Sequence, residues 1–308
     1  MPSYTSHITA QIGLNQHLPT PHTANMRIRK VLPTAAFSLF ACTLLAQQQA
    51  AITTDPAPDP SAPTQNLETV LASHGSHIEG LFFLASGTQP HPTVILLHGF
   101  PGYEQNIDLA QSLRRDGWNV LAMHYRGAWG SQGTFSFTHC MEDVGTMLAY
   151  VTQPANVTKF HIDTRHLVVI GHSMGGFLTV AALAQHPELK AGVVITEGSP
   201  VYNSGAFNED PADYAPLAGT SPTALQNEAK AHTTAWSFAT FATKIAPRPV
   251  LDITANDGLR ASNEALVAAL KQAGSPVTST HFDTDHGFSD HRIALQMAIL
   301  KWLDDTAR

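Results

Sequence analysis

The sequence predicts an α/β fold built on a mostly parallel sheet with helices on both faces. Short branched apolar runs alternate along the chain with longer segments of helical pattern, which is the order that βαβ units produce. One run, Leu167–Ile170, has four consecutive branched apolar residues and is typical of a strand buried on both faces. A glycine-containing turn and a second apolar segment, Phe177–Ala184, follow it and indicate a strand-turn-helix unit.

The composition narrows the class of protein. The 308 residues are 43% hydrophobic and 13% charged, which indicates a globular chain with a sparsely charged surface. A formal net charge of −7 argues against nucleic acid and anionic membrane surfaces as partners. The two cysteines, Cys42 and Cys140, form neither a disulfide framework nor a CxxC pair for zinc or redox chemistry. We therefore expect no cofactor and no metal.

The N-terminal part of the chain has the pattern of an export signal. Residues 1–25 are mostly polar, and Met26 then opens a basic stretch followed by an uncharged run that ends at Ala46. This order predicts a secretory signal peptide within residues 1–46, with translation starting at Met26 and cleavage after Ala46. An uncleaved anchor and a lipid-modified Cys42 are the alternatives. The apolar run is shorter than the ~20 residues of a membrane span, so we expect none in the mature protein.

A proline-rich segment separates this signal from the folded domain. Residues 47–66 carry four prolines among alanine, threonine and aspartate, a composition that cannot bury a core and predicts an extended linker. The domain is therefore expected to cover residues 67–308, and the sequence shows no internal repeat.

Strands and helices alternate along this domain. Strands are predicted at residues 77–85, 93–97, 119–124, 167–170, 192–196, 250–254 and 277–282. Helices are predicted at residues 107–116, 140–152, 177–184, 261–272 and 291–307.

One long insertion interrupts the alternation, at residues 199–246. It contains Pro, Asn and Asp clusters and a helical piece around Trp236–Ala242. Open α/β sheets bind ligands at the carboxyl edge of the strands, where such an insertion lies, so we expect a small cap over the site. The apolar residues that could line a pocket there are Tyr202, Phe207, Tyr214, Trp236 and Phe238, although Trp236 fits a plain packing role equally well.

The turn after the buried strand is the candidate catalytic centre. It reads Gly171-His172-Ser173-Met174-Gly175, a match to the G-x-S-x-G pattern. A serine on a sharp strand-to-helix turn is backbone-strained, and the residues two before and two after it must be very small. The helix that starts there directs free N–H groups at the serine, which favours developing negative charge. We predict that Ser173 is a nucleophile; the pattern alone also fits an ordinary turn.

A serine nucleophile needs a base at neutral pH, and the base needs an orienting acid. Asp257, in the loop after a late strand, is the predicted acid. Asp252, inside that strand, and Glu197, after the preceding strand, are the alternatives. His286 lies between the last strand and the last helix and is the predicted base.

Three histidines near the C-terminus, His281, His286 and His291, could also suggest a metal site with the nearby aspartates. Their five-residue spacing matches neither the helix nor the strand period, and the chain has no H-E-x-x-H motif. His281 falls within the predicted strand and His291 begins the predicted helix. The loop position of His286 therefore favours a base over a metal ligand.

An early loop supplies the candidate donors for a tetrahedral oxyanion. Such an oxyanion needs two donors, one of them the N–H of the residue after the nucleophile, here Met174. The loop at residues 98–102 reads His-Gly-Phe-Pro-Gly, and the N–H of Phe100 is the predicted second donor. Pro101 has no N–H, and its ring rigidifies the loop. A plain tight turn is the alternative interpretation.

Four of these motifs, in this order, resemble the α/β-hydrolase superfamily over about residues 77–308. They are the loop at residues 98–102, the elbow at residues 171–176, the Asp257 loop and Asp285-His286-Gly287. Residues 125–133 also resemble the arginine-glycine loop of its esterase and prolyl-oligopeptidase-like branches. The resemblance implies the α/β-hydrolase fold with a small cap and acyl-transfer chemistry, but no particular substrate, because this fold hosts many functions.

The leading hypothesis is an exported serine hydrolase acting on a small-molecule carboxylic ester. Ser173 would attack the carbonyl, His286 would carry the proton, and Asp257 would stabilise the imidazolium. A prolyl-oligopeptidase-like peptidase is an alternative, but no propeller-sized domain or acidic pair for a substrate amine is evident. A non-catalytic binding protein on this fold is another, although such proteins usually lack one member of the triad.

Overall fold

Eight strands form one sheet in the computed structural model, which describes residues 46–202 and 210–308. They are β1 (Gln65–Ser73), β2 (Ser76–Leu84), β3 (His91–Leu97), β4 (Asn119–Met123), β5 (Ile162–His172), β6 (Ala191–Ile195), β7 (Val250–Thr254) and β8 (Val277–His281). Their order across the sheet is β1-β2-β4-β3-β5-β6-β7-β8. β1–β2 and β2–β4 pair antiparallel, and every other neighbouring pair is parallel. The predicted mostly parallel sheet is confirmed.

Helices cover both faces of this sheet. The helices that follow β1 along the chain are α1 (Ile107–Arg115), α2 (Phe137–Thr152), α3 (Pro154–Lys159), α4 (Met174–Gln185), α5 (Pro211–Tyr214), α6 (Pro222–Ala231), α7 (Phe238–Ile245), α8 (Arg260–Ala273) and α9 (Arg292–Thr306). α1 and α9 bury apolar residues against one face, and α2, α4 and α8 do so against the other.

β5 shows why a run of branched apolar residues indicates a central strand. Leu167 and Val169 point into the core beneath α2 and α4, whereas Val168 and Ile170 point into the core beneath α1 and α9. Side chains alternate between the faces of a strand, so a strand covered on both sides needs apolar residues at every position. The strand itself is longer than predicted and begins at Ile162.

The predicted elements of the domain are all present, but β1 was not anticipated. Its exposed and buried residues alternate, and it pairs only with β2 at one edge of the sheet. Such an edge strand has a weak apolar signal because one of its faces is solvated. The short helices α3, α5 and α6 were not anticipated either.

The segment before β1 corrects the expectation of an extended linker over residues 47–66. Residues 46–53 are helical, and Ala51 and Gln48 are buried. Gln48 Nε2 donates a hydrogen bond to Asp304 on α9 at 2.7 Å, and Arg115 Nη2 donates to the Ile52 carbonyl at 3.3 Å. The first of the four prolines is Pro56, so the Gln- and Ala-rich stretch before it is free to form a helix. The domain limits themselves stay predictions.

The predicted extension and signal sequence, with Met26 and Cys42, lie outside the described residues, as does Phe207 of the insertion. Of the helices in the described ranges, none has the length and apolar character required to cross a membrane.

The insertion between β6 and β7 packs on the loop that follows β4. The Trp129 N–H donates to the Pro216 carbonyl at 2.9 Å, and the Ala218 N–H donates to the Gly127 carbonyl at 2.7 Å. Glu228 on α6 accepts the N–H groups of Phe137 and Thr138 at 3.0 and 2.8 Å, which caps α2. The predicted helical piece is present as α7, which begins at Phe238.

Candidate active site

Ser173 occupies a strained turn between β5 and α4. Its backbone has φ 56° and ψ −122°, a conformation that residues with side chains rarely adopt. The flanking glycines make the turn possible, because a Cβ on Gly171 would overlap the Gly175 carbonyl oxygen and a Cβ on Gly175 would overlap that of Leu97. α4 begins at Met174, so the N-terminus of the helix lies directly beside the serine.

Asp257 and His286 meet at the carboxyl ends of the last two strands. Asp257 follows β7 and His286 follows β8, and Asp257 Oδ2 lies 2.7 Å from His286 Nδ1. Asp257 also accepts the Leu259 N–H at 3.0 Å and the hydroxyl of Thr196. Burial alone would raise the pKa of Asp257, but the hydrogen bonds from His286, Thr196 and Leu259 lower it to about 2. The carboxylate is therefore ionised at neutral pH.

The two alternative acids occupy different places. Asp252 is buried within β7, and burial raises its pKa to about 7. Glu197 is fully buried, accepts the Ser262 hydroxyl at 2.9 Å, and has a pKa that burial raises to about 8. Neither carboxyl group is placed against His286, whose ring bonds Asp257.

The three C-terminal histidines contact different partners. His281 Nδ1 lies 2.9 Å from the Thr254 hydroxyl, and His291 Nδ1 lies 2.8 Å from Asp290 Oδ1. His286 alone of the three faces Asp257. The three side chains thus do not converge as a set of metal ligands would.

His172 holds the loop that carries His286. Its Nε2 donates to the His286 carbonyl at 2.8 Å, and the two rings lie 4.6 Å apart. Burial lowers the pKa of His172 to about 4, so this ring is neutral at pH 7. Arg292 at the start of α9 adds a second tie by donating to the Gly287 carbonyl at 3.0 Å.

His172 immediately precedes Ser173, so this contact links the Ser173 turn to the loop that carries His286. The described hydrogen bonds of His286 go to Asp257 and His172, and neither involves the Ser173 hydroxyl. Hydrogen bonds between a nucleophile and its base are often loose before substrate binds.

The early loop at residues 98–102 packs directly against the serine. A Cβ on Gly99 would lie 2.8 Å from the Ser173 Cβ and 3.4 Å from its Oγ, so only glycine fits. Within the described part of the chain, neither Phe100 nor Met174 donates its N–H to another backbone group. Neither amide is therefore committed to a backbone acceptor, as the predicted role of oxyanion donor requires.

Buried aromatic and histidine side chains hold this early loop in place. His98 Nδ1 donates to the Gly99 carbonyl at 2.8 Å, Tyr125 donates its hydroxyl to the His98 carbonyl at 3.0 Å, and Trp129 Nε1 donates to the Pro101 carbonyl at 2.8 Å. Burial lowers the pKa of His98 to about 3, so it acts as a neutral donor here.

The aromatic residues predicted to line a pocket have different surroundings. The ring of Tyr214 lies 5.5 Å from that of Phe100, whereas Tyr202 is half exposed and stacks on Phe238 with ring centroids 5.7 Å apart. Trp236 and Phe238 are buried in the core around α4 and α7, where Trp236 packs against Phe177 at 5.7 Å. A packing role therefore describes Trp236 better than a lining role.

Sequence reasoning missed Thr196, and it did not assign His172 and Arg292. His172 is one of the variable positions of the G-x-S-x-G pattern, so the motif carries no signal for it. Thr196 ends a predicted strand, and nothing local marks its hydroxyl as a partner of Asp257, which lies 61 residues away.

Comparison with known proteins connects this geometry to a family. The model described as alpha/beta hydrolase fold matches residues 92–221, which include the early loop, the Ser173 turn and half of the insertion. Acylamino-acid-releasing enzyme 1 of Oryza sativa subsp. japonica is 30% identical over 119 residues, which are 35% of this chain and 15% of that protein. The chain thus spans a small part of the length of this relative.

Two solved structures share the fold at low sequence identity. An esterase of Pyrococcus furiosus has a TM-score of 0.61 and 15% identity, with 82% of this chain and 98% of the esterase covered. An acylaminoacyl peptidase of Pyrococcus horikoshii has a TM-score of 0.59 and 18% identity, with 78% of this chain but only 41% of the peptidase covered.

Proposed function

We propose, given that the chain belongs to the α/β-hydrolase superfamily, that it is a serine hydrolase that cleaves carboxylic esters through an acyl-enzyme. One observation carries this proposal. Asp257 and His286 are paired at 2.7 Å, and His286 packs against His172, the residue before a serine that is held on a strained turn at a helix N-terminus. Such a set of nucleophile, base and orienting acid is the requirement for acyl transfer at neutral pH.

In the proposed reaction, Ser173 Oγ attacks the ester carbonyl carbon while His286 Nε2 takes the hydroxyl proton. The oxyanion accepts the N–H groups of Phe100 and Met174, and the ionised Asp257 stabilises the imidazolium. When the carbonyl re-forms, the alcohol leaves with the proton from His286. A water molecule then attacks the acyl-serine by the same route, which releases the acid and restores the serine.

Ester hydrolysis is the favoured activity because the fold of this chain matches that of the Pyrococcus furiosus esterase over 98% of that protein's length. Cleavage of an acylated amino acid from a peptide is the second candidate. It is supported by the 30% identity to acylamino-acid-releasing enzyme 1 over 119 residues. Both candidates share the acyl-enzyme and differ in the leaving group.

A matched pair of substrates separates the two candidates. We would assay the purified protein on p-nitrophenyl esters and p-nitroanilides of the same acetyl, butyryl, octanoyl and N-acetylalanyl groups. An esterase turns over the short acyl esters and leaves the anilides intact, whereas a peptidase cleaves the N-acetylalanyl anilide. Ser173→Ala is the control, and ester turnover that persists in a folded Ser173→Ala protein would refute the serine mechanism.

A further inference from the structure

Thr196 has a backbone conformation that its residue type disfavours. It directly follows β6 and has φ 42°, which is unusual for any residue with a side chain and rare for a β-branched one. The residue is fully buried. Outliers of this kind persist only where the surrounding structure holds them, and they cluster at functional sites.

The neighbouring residues hold this conformation from both sides. The Thr196 N–H donates to the Ile253 carbonyl at 2.7 Å, which ties it to β7. The buried side chain of Asn263 on α8 then clasps the next residue: its Oδ1 accepts the Glu197 N–H at 2.9 Å and its Nδ2 donates to the Glu197 carbonyl at 3.2 Å. Residue 196 is thus fixed between β7 and α8.

The fixed conformation directs the Thr196 hydroxyl at the acid of the candidate site. Thr196 Oγ1 donates to Asp257 Oδ2, the same oxygen that faces His286 Nδ1 at 2.7 Å. The other carboxylate oxygen accepts the Leu259 N–H at 3.0 Å. The hydroxyl and the Leu259 amide therefore bond opposite oxygens and fix the rotation of the carboxylate plane.

We propose that Thr196 is a positioning residue of the active site, whose hydroxyl orients the Asp257 carboxylate toward His286. This inference rests on the proposed serine hydrolase function. Thr196 touches neither the substrate nor the reacting atoms; it acts through Asp257. The strained backbone is the cost of placing a threonine hydroxyl at the carboxyl end of β6, where it reaches the loop after β7.

A matched set of three variants tests this role. Thr196→Val keeps the shape and β-branching of the side chain and removes the hydroxyl, whereas Thr196→Ser keeps the hydroxyl. Thr254→Val is the control, because Thr254 ends the neighbouring strand β7 and its hydroxyl bonds His281 instead of Asp257. We expect Thr196→Val to lower kcat about tenfold with KM within twofold of wild type. Thr196→Ser and Thr254→Val should stay within about threefold of wild type.

The pH–rate profile distinguishes a positioning role of Thr196 from a purely structural one, because the loss of a structural contact alone would not shift it. Without the hydroxyl, the Asp257 carboxylate is less well oriented toward His286 and stabilises its imidazolium form less, so we expect the acid limb of kcat/KM to move to lower pH in Thr196→Val. Among the described residues, His172 from β5 packs on the His286 ring and Arg292 from α9 bonds the adjacent Gly287 carbonyl, and both are unchanged in every variant.

A spectroscopic measurement decides the inference independently of turnover. The hydrogen-bonded Nδ1 proton of His286 gives a low-field proton NMR signal that is absent in His286→Ala. We expect this signal to weaken and move upfield in Thr196→Val, because a less well oriented carboxylate bonds Nδ1 less strongly, and to stay in place in Thr254→Val. An unchanged signal in folded Thr196→Val would overturn the positioning role. A shifted signal in a protein that hydrolyses no substrate would uphold it and refute the proposed function instead.

Discussion

At Ser173, backbone strain and helix polarity act on one hydroxyl group. Holding a non-glycine residue at positive φ costs on the order of 1–3 kcal/mol, which the packing of Gly171 and Gly175 against neighbouring carbonyls must sustain. In return the Oγ stands beside the free N–H groups of a helix that starts at the next residue. These contacts explain why the turn tolerates only glycine at both flanking positions.

The roles of the histidines are separable by mutation. We expect His286→Ala to lower kcat by on the order of 10⁴-fold, because the base and the nucleophile act as a unit. His281→Ala and His291→Ala should change kcat less than threefold, because neither ring bonds Asp257. Ester assays on the three folded variants measure this. If His291→Ala were the only inactivating change, the assignment of the base to His286 would be wrong.

The acid can be tested in the same way. Asp257→Asn should be damaging but milder than loss of the serine or the histidine, because the acid orients the base without forming bonds. Asp252→Asn should leave kcat within about threefold of wild type, because this carboxyl group lies inside β7. A greater loss of kcat in Asp252→Asn or Glu197→Gln than in Asp257→Asn would assign the role of the acid to that residue instead.

Glu197 links stability to pH. Burial raises its pKa to about 8 in the folded protein, above the ordinary carboxyl value of 4.5, so the folded state keeps a proton that the unfolded state has released. Stability therefore falls as pH rises from about 4.5 to about 8. We expect Glu197→Gln to flatten this decline, measured as unfolding midpoints at pH 5 and pH 9. Glu264→Gln, on the exposed face of α8, is the control and should keep the wild-type slope.

At the scale of elements, the insertion between β6 and β7 is fastened to the site by backbone hydrogen bonds. Pro216 and Ala218 pair with Trp129 and Gly127 of the loop after β4. Trp129 in turn donates to the Pro101 carbonyl next to Phe100. The insertion and the candidate oxyanion loop are thus parts of one hydrogen-bonded assembly.

This arrangement predicts an effect on substrate preference. Tyr202→Ala and Tyr214→Ala should change the ranking of esters by acyl length more than the rate on the acetyl ester, because the Tyr214 ring packs on Phe100. A p-nitrophenyl ester series measures this ranking. Ile293→Ala, an exposed residue of α9, is the control. An identical ranking in both tyrosine variants would mean that the insertion does not line the pocket.

At the scale of the whole molecule, the parallel sheet brings the residues of the candidate site together. The loops after β3, β5, β6, β7 and β8 all leave the carboxyl ends of parallel strands, so residues far apart in sequence meet at one edge. The segment at residues 46–53 docks on α1 and α9 of the same domain. Deleting this segment would expose the apolar surface that Ala51 covers and would remove the hydrogen bond between Gln48 and Asp304.

Export is a further proposal at this scale. The basic stretch after Met26 and the uncharged run to Ala46 support cleavage before Gln47, which would leave the docked segment at the start of the mature chain. We expect mass spectrometry of the mature protein to find Gln47 at its N-terminus. A lipid-modified Cys42 would indicate anchoring, and an intact Met26 or Met1 in cytoplasmic protein would refute export.

The sequence by itself determined those features that depend on neighbouring residues. The branched run before Ser173, the small residues two positions on either side of it, and the loop positions of Asp257 and His286 follow from local sterics and strand order. Only the tertiary structure decided that Asp257 is the carboxylate that meets His286, 29 residues away. It also decided that Thr196, 61 residues from Asp257, bonds the same carboxylate oxygen. It also placed Trp236 in the core and residues 46–53 against α9. Contacts between distant residues depend on how the sheet is assembled, and no local pattern encodes that assembly.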